Sequence, residues 1–266
     1  ITGMGGTISY NQPSADAETL IISLGAGQDD YTVKTTHSST HTTLKGGAGN
    51  DVLTVENSGA NGQLHVFGES GMDYILFQDH SGTTTLNGDT SADNINDLTP
   101  PACDANTQPC PGDDRFYIQS GGGDLTINGG WGADKYFVST GVSKATFTSN
   151  DVYNDDFPLP SMVGDLSGIT GNFNINGWAD GNGGLKDRLY VSDLASTADS
   201  SGTLGAALTG LSLPQGVSLG YVGVEVLEIQ LGDGSNTLNA ESLASSVWAT
   251  VYGGSGDDTL NVGNQA

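Results

Sequence analysis

The chain has 266 residues, room for one long domain or two ordinary ones, and carries 31 acidic against 7 basic residues for a net charge of −24. That charge excludes nucleic acid and anionic lipid as natural partners, and it calls for divalent counterions wherever carboxylates crowd together. No apolar run approaches the ~18 residues of a membrane span, and 35% hydrophobic against 14% charged residues predicts a packed core, not a disordered tail.

Taken in order, the chain is punctuated by glycine turns with alternating apolar residues on either side. Before the glycines the inward positions are Leu20/Ile22, Leu64/Val66, Leu125/Ile127, Phe173/Ile175 and Leu227/Ile229, with Leu44, Leu86 and Val251 in the same place. After them come Tyr31/Val33, Leu53/Val55, Ile75/Phe77, Phe116/Ile118, Tyr136/Val138, Leu189/Val191 and Leu260/Val262. Period two on both arms, with no sustained helical period, predicts an all-β chain. Two interruptions stand out. Residues 97–112 form a Pro-rich loop, either inserted into a repeat or replacing its second strand, and residues 149–168 form a surface excursion. Cys103 and Cys110 flank the first loop; with so few basic residues around them, an extracellular protein with one local disulfide is expected, against two free thiols. The chain starts at Ile1 without a signal peptide, as expected of a mature product or a piece of a larger secreted one.

The turn motif is clearest at Gly46-Gly47-Ala48-Gly49-Asn50-Asp51, followed by Val52-Leu53-Thr54-Val55. Glycines let the backbone turn tightly, the Asp supplies a carboxylate, and the alternating apolar residues begin a strand. Related copies place Asp29, Asp51, Asp73, Asp93, Asp114 and Asp134 at spacings of 22, 22, 20, 21 and 20 residues, and Asn236 and Asp258 repeat the pattern near the end. Such a period predicts a parallel β-solenoid of the β-helix or β-roll kind, with coils of about 20–22 residues stacked ~4.8 Å apart. A longer repeat overlies it: Leu20 matches Leu227, Gly25 matches Gly232 and Gly47 matches Gly254, each 207 apart. Residues 1–207 are therefore expected to be one complete unit, and 208–266 the start of the next in the same solenoid.

These turns resemble the RTX, or hemolysin-type, GGxGxD repeats of large extracellular and adhesin-like surface proteins. The resemblance covers mostly 20–138 and 225–262. It implies Ca²⁺ held between successive turns, which suits an all-oxygen ligand set. Carried over, the metal-binding positions are Asp29, Asp51, Asp73, Asp93, Asp114, Asp134, Asn236 and Asp258. Asp93 has Ser91 where a glycine is expected, and Asn236 replaces the Asp. The ligand turns come once per coil where the family carries them on both sides, so a single row on one side is expected. Each Asp can instead serve the turn alone, by accepting backbone N–H bonds.

The implied function is mechanical: a calcium-binding spacer, fibre or adhesin stalk outside the cell, meeting neighbouring repeats or copies of itself end to end. The alternative is a polysaccharide-binding or polysaccharide-modifying β-helix with extracellular glycans as partners, for which Trp131, Trp178 and Trp248 are the available aromatics. Thr and Asn rows at Thr85, Thr126 and Asn174 offer an ice-binding reading, interrupted by His65, Lys45 and Phe67. No nucleophile elbow, zinc helix or Cys-x-x-Cys spacing is present, and an enzyme is not expected. His37, His41, His65 and His80 are expected at the surface.

Overall fold

Period-two alternation is what the backbone adopts. The computed structural model describes residues 18–60, 62–89, 112–142, 162–177 and 186–263, and among these it contains nineteen strands and no helix. Strands preceding the glycine turns pair in a first sheet: β1 (Glu18–Ala26), β3 (Thr40–Ala48), β5 (Gln63–Ser70), β7 (Thr83–Asn87), β9 (Leu125–Asn128) and β11 (Phe173–Asn176). Strands following the turns pair in a second sheet: β2 (Asp30–Val33), β4 (Val52–Val55), β6 (Tyr74–Phe77), β8 (Arg115–Ile118), β10 (Lys135–Val138) and β12 (Arg188–Ser192). Every pairing among these strands is parallel. Parallel neighbours need a crossover between them, and here the crossover is a strand of the opposite sheet. The result is an all-β stack of two long parallel sheets, compatible with a β-helix.

The remaining strands depart from that rhythm. β13 (Ser201–Leu204), β14 (Ala207–Gly210) and β15 (Ser218–Val222) meander within the first sheet, with β14 antiparallel to both neighbours. β15 lies beside β11, while β13 lies beside β17 (Thr237–Ala240). In the second sheet β16 (Val226–Gln230) follows β12, and β18 (Trp248–Tyr252) follows β16. β19 (Thr259–Val262) closes the first sheet beside β17, giving eleven strands against eight.

One core runs between the sheets. Leu44, Leu64 and Leu86 from the first meet Leu53, Ile75 and Phe77 from the second, all fully buried. The predicted inward positions hold throughout the middle of the stack. At its far end Leu260 and Val262 are exposed, because among the described residues no strand lies beyond β19. A second, smaller cluster sits on the outer face of the second sheet. There Tyr117, Phe137 and Tyr190 stack at 4.7 and 4.8 Å beneath Val142 and Met162.

β7 and β8 keep their places in the two sheets on either side of the 97–112 stretch, which lies outside the described residues except for Gly112. Cys103 and Cys110 lie outside the described residues. The 149–168 excursion comes back into the protein, with Met162 and Leu166 buried. Phe77, fully buried and packed against the His80 ring at 4.9 Å, tests the shared core. Phe77→Ala is expected to cost about 3–5 kcal/mol in chemical denaturation.

Candidate metal centre: a row of stacked aspartate turns

The motif glycines do two different things. Gly49 has φ of +131°, and a Cβ there would stand 2.0 Å from the Gly27 carbonyl oxygen of the preceding turn, so the turns stack backbone on backbone. Gly46 clears space for the carboxylate instead: its Cβ would lie 2.4 Å from Asp51 Oδ2, which folds back over it. Gly68 with Asp73 and Gly129 with Asp134 repeat that contact at the same five-residue spacing. Gly88 with Asp114 and Gly177 with Asp187 repeat it across long insertions.

Parallel register then lays the aspartates on one another. The Asp29 backbone N–H donates to Asp51 Oδ1 at 2.8 Å, Asp51 to Asp73 at 2.7 Å, and Asp73 to Asp114 at 2.7 Å. Asp114 donates to Asp134 and Asp134 to Asp187, each at 2.8 Å, and Asp187 to Glu225 Oε2 at 2.9 Å. Of the residues expected from sequence, Asp29, Asp51, Asp73, Asp114 and Asp134 thus form one continuous row. Asp187 and Glu225 extend it and were not among those expected. The ten-residue spacing from Gly177 to Asp187, twice that of the Gly46, Gly68 and Gly129 turns, hid the first, although Asp187-Arg188-Leu189-Tyr190-Val191 echoes Asp114-Arg115-Phe116-Tyr117-Ile118. Glu225 follows Gly223 by only two residues and reaches with a longer side chain.

Asp93 lies outside the described residues. Asp73 and Asp114 are direct neighbours, and β6 pairs with β8, so no rung stands between them. Asn236 and Asp258 stand apart from the others. The row from Asp29 to Glu225 occupies turns leading from the first sheet into the second, whereas Asn236 and Asp258 precede β17 and β19 in turns leading the other way. There are therefore two rows, on opposite sides of the stack, where one was expected.

The row confines negative charge. Asp51, Asp73, Asp114 and Asp134 are fully buried, and the Oδ2 atoms of these four and of Asp29 have no hydrogen-bond partner. Burial, followed by the neighbouring carboxylates, pushes the Asp73 carboxyl up to about 7 and those of Asp114 and Asp134 well above the usual carboxylate range. Burial likewise raises Asp51 and, with the carboxylates around it, the Tyr136 hydroxyl. Asp89, at the second glycine position of its turn, accepts the Trp131 N–H at 2.7 Å and adds to the field on Asp114 and Asp134. Among the described residues no three His, Cys, Asp or Glu side chains converge as a metal cluster. A cation in this row would be held by carboxylates of adjacent rungs together with turn carbonyls, a ligand set that fits a hard divalent ion.

The other candidates scatter. His80, expected at the surface, is fully buried between Phe77 and Phe173, with its Nε2 2.8 Å from the Gly123 carbonyl oxygen. Trp178 is outside the described residues; Trp131 lies in the turn before β10, and Trp248 lies three strands away on β18. No protein-family model, no curated protein and no solved structure matches the chain.

A carboxyl whose pKa is raised by folding stabilises the fold while protonated and stops doing so as pH rises through its folded value. His80 acts in the opposite sense: burial lowers its pKa, so it removes stability only as pH falls below its ordinary 6.5. In chelator, the melting temperature is therefore expected to fall as pH is raised from about 6.5 to 8 through the Asp73 value. Asp114→Asn is expected to flatten that slope in the same melts.

Proposed function

We propose that this chain is a calcium-binding structural segment of an extracellular or cell-surface protein. In this reading the two sheets are the walls of a β-solenoid, serving as spacer, fibre or adhesin stalk, which meets neighbouring repeats or further copies end to end. The observation that carries the proposal is the buried carboxylate row with its unpartnered Oδ2 atoms. Carboxylates stacked about 4.8 Å apart repel one another unless neutralised, and a divalent ion between rungs both neutralises them and ties one rung to the next. The GGxGxD resemblance supports Ca²⁺ as that ion. The net charge of −24 and the absence of any helix long and apolar enough to cross a membrane among the described residues accord with a solvated stalk.

The glycan reading has one observation of its own. Arg115, Lys135 and Arg188 stand in register on the outer face of the second sheet, alongside the stacked Tyr117, Phe137 and Tyr190. A sugar platform needs open rings, and these three are buried beneath Val142 and Met162, which makes it the weaker reading.

Thermal unfolding followed by circular dichroism, with Ca²⁺ titrated into EDTA-stripped protein, tests the calcium reading. The melting temperature is expected to climb with Ca²⁺ around 10⁻⁴–10⁻³ M, on the order of other extracellular sites, and to respond far less to Mg²⁺. A melt indifferent to Ca²⁺ would leave the aspartates as turn-formers alone.

A further inference from the structure

We propose that the side-chain amide of Asn236 occupies, in its own turn, the place a cation takes in the aspartate turns, so that this turn is complete without an ion. The inference rests on the calcium reading above and takes Asn236 out of the set of ligands expected from spacing. Asn236 is the counterpart of Asp29 one long repeat later, and Asp258 is the counterpart of Asp51. The ladder bond is retained: the Asn236 backbone N–H donates to Asp258 Oδ1 at 2.9 Å, as Asp29 donates to Asp51 at 2.8 Å.

What changes is the second atom of the side chain. Asn236 Nδ2 faces three oxygens, donating to the carbonyls of Gly234 at 2.7 Å and Gly232 at 3.0 Å and to Asp258 Oδ1 at 3.1 Å. Its Oδ1 accepts the Ser200 hydroxyl at 2.7 Å, which sets the orientation of the amide. The reversed amide would press an oxygen against three others. Asp29, Asp51, Asp73, Asp114 and Asp134 put an oxygen at this atom, and each of those Oδ2 atoms lacks a donor. Two carbonyls and a carboxylate around one point are hard ligands. An amide nitrogen satisfies them directly, whereas a carboxylate oxygen adds to them and leaves the positive partner to come from solution.

The two side chains should therefore be exchangeable, with opposite consequences for ion dependence. Bound Ca²⁺ per chain is counted by equilibrium dialysis and atomic emission, and melts are run in EDTA and in Ca²⁺. Three proteins are compared: wild type, Asn236→Asp and Asp51→Asn, with Asp29→Asn at the end of the row as a second variant should the central one misfold. Asn236→Asp is expected to melt lower than wild type in EDTA by about 2–4 °C, to recover in Ca²⁺, and to bind one more ion. The Asp→Asn variants are expected to melt higher in EDTA and to bind less Ca²⁺. A wild type that responds to Ca²⁺, with an Asn236→Asp that gains no ion and no Ca²⁺-dependent recovery, overturns this inference and leaves the calcium reading intact. A wild type that binds no Ca²⁺ overturns both, even where Asp→Asn stabilises, because the amide would then be replacing a proton.

Discussion

Parallel stacking in register is the constraint on which the rest of the structure depends. With each rung repeating the last about 4.8 Å away, every residue is laid on its own kind. For apolar side chains this is favourable, and the core between the sheets follows from it. For amides it is also favourable, because an amide is its own complement: Asn128 donates to Asn87 at 2.7 Å, and Asn176 to Asn128 at 2.8 Å. For carboxylates it is not. One oxygen of each Asp finds a backbone N–H on the preceding rung, and the other has like charge above and below it. The same register that builds the core thus builds a row that needs positive charge from elsewhere, either protons or a metal ion.

The stacking also explains why so much of the fold was legible in the sequence. Inward pairs such as Leu53/Val55 and Ile75/Phe77 could be read directly, because a rung that repeats in space must repeat in the chain. What could not be read was where the repeat fails to be even. Counting residues placed Asp93 between Asp73 and Asp114, yet those two are hydrogen-bonded neighbours. β6 pairs directly with β8, so the sequence between Asp73 and Asp114 is longer than one rung needs. Asp187 was obscured for the same reason. His80 was missed on a different ground: a lone histidine beside polar turn residues looks solvated, and its burial depends on the rings of Phe77 and Phe173, far apart in the chain.

The second feature hidden from sequence is the change of side. β1 and β16 are one long repeat apart and match in pattern, yet β1 lies in the first sheet and β16 in the second; β2 and β17 are exchanged in the same way. Nothing local distinguishes them, since alternating residues serve either sheet equally well. The sheet a strand joins is set by where the alternation between the sheets stands when the chain arrives; β13, β14 and β15 together take one turn in the first sheet, so β16 comes to the second. Antiparallel β14 carries the chain back toward β11 before it crosses, so β16 both follows the last turn of the first row, at Glu225, and precedes the Asn236 turn of the second.

That changeover has an electrostatic consequence. Where the two rows overlap along the stack, each rung has a turn on both sides, and two full rows of carboxylates would double the buried negative charge. At the row position the chain carries neutral residues there, while Asp193, a buried carboxylate in the same turn as Ser200, is held by the Ser212 hydroxyl and the backbone N–H groups of Leu166 and Ser212. On the side where the first row ends, Asp187 and Glu225 are acidic, while the facing turns of the second row carry Ser200 and Asn236, joined to each other by a 2.7 Å hydrogen bond. Asp258, the first carboxylate at the row position beyond them, comes one rung later, when the first row has finished. Ser200 and Asn236 thus keep the row position of the second side uncharged where the first row is still acidic. The replacement of Asp by Asn at position 236 is therefore tied to the architecture, because it falls where the stack changes sides.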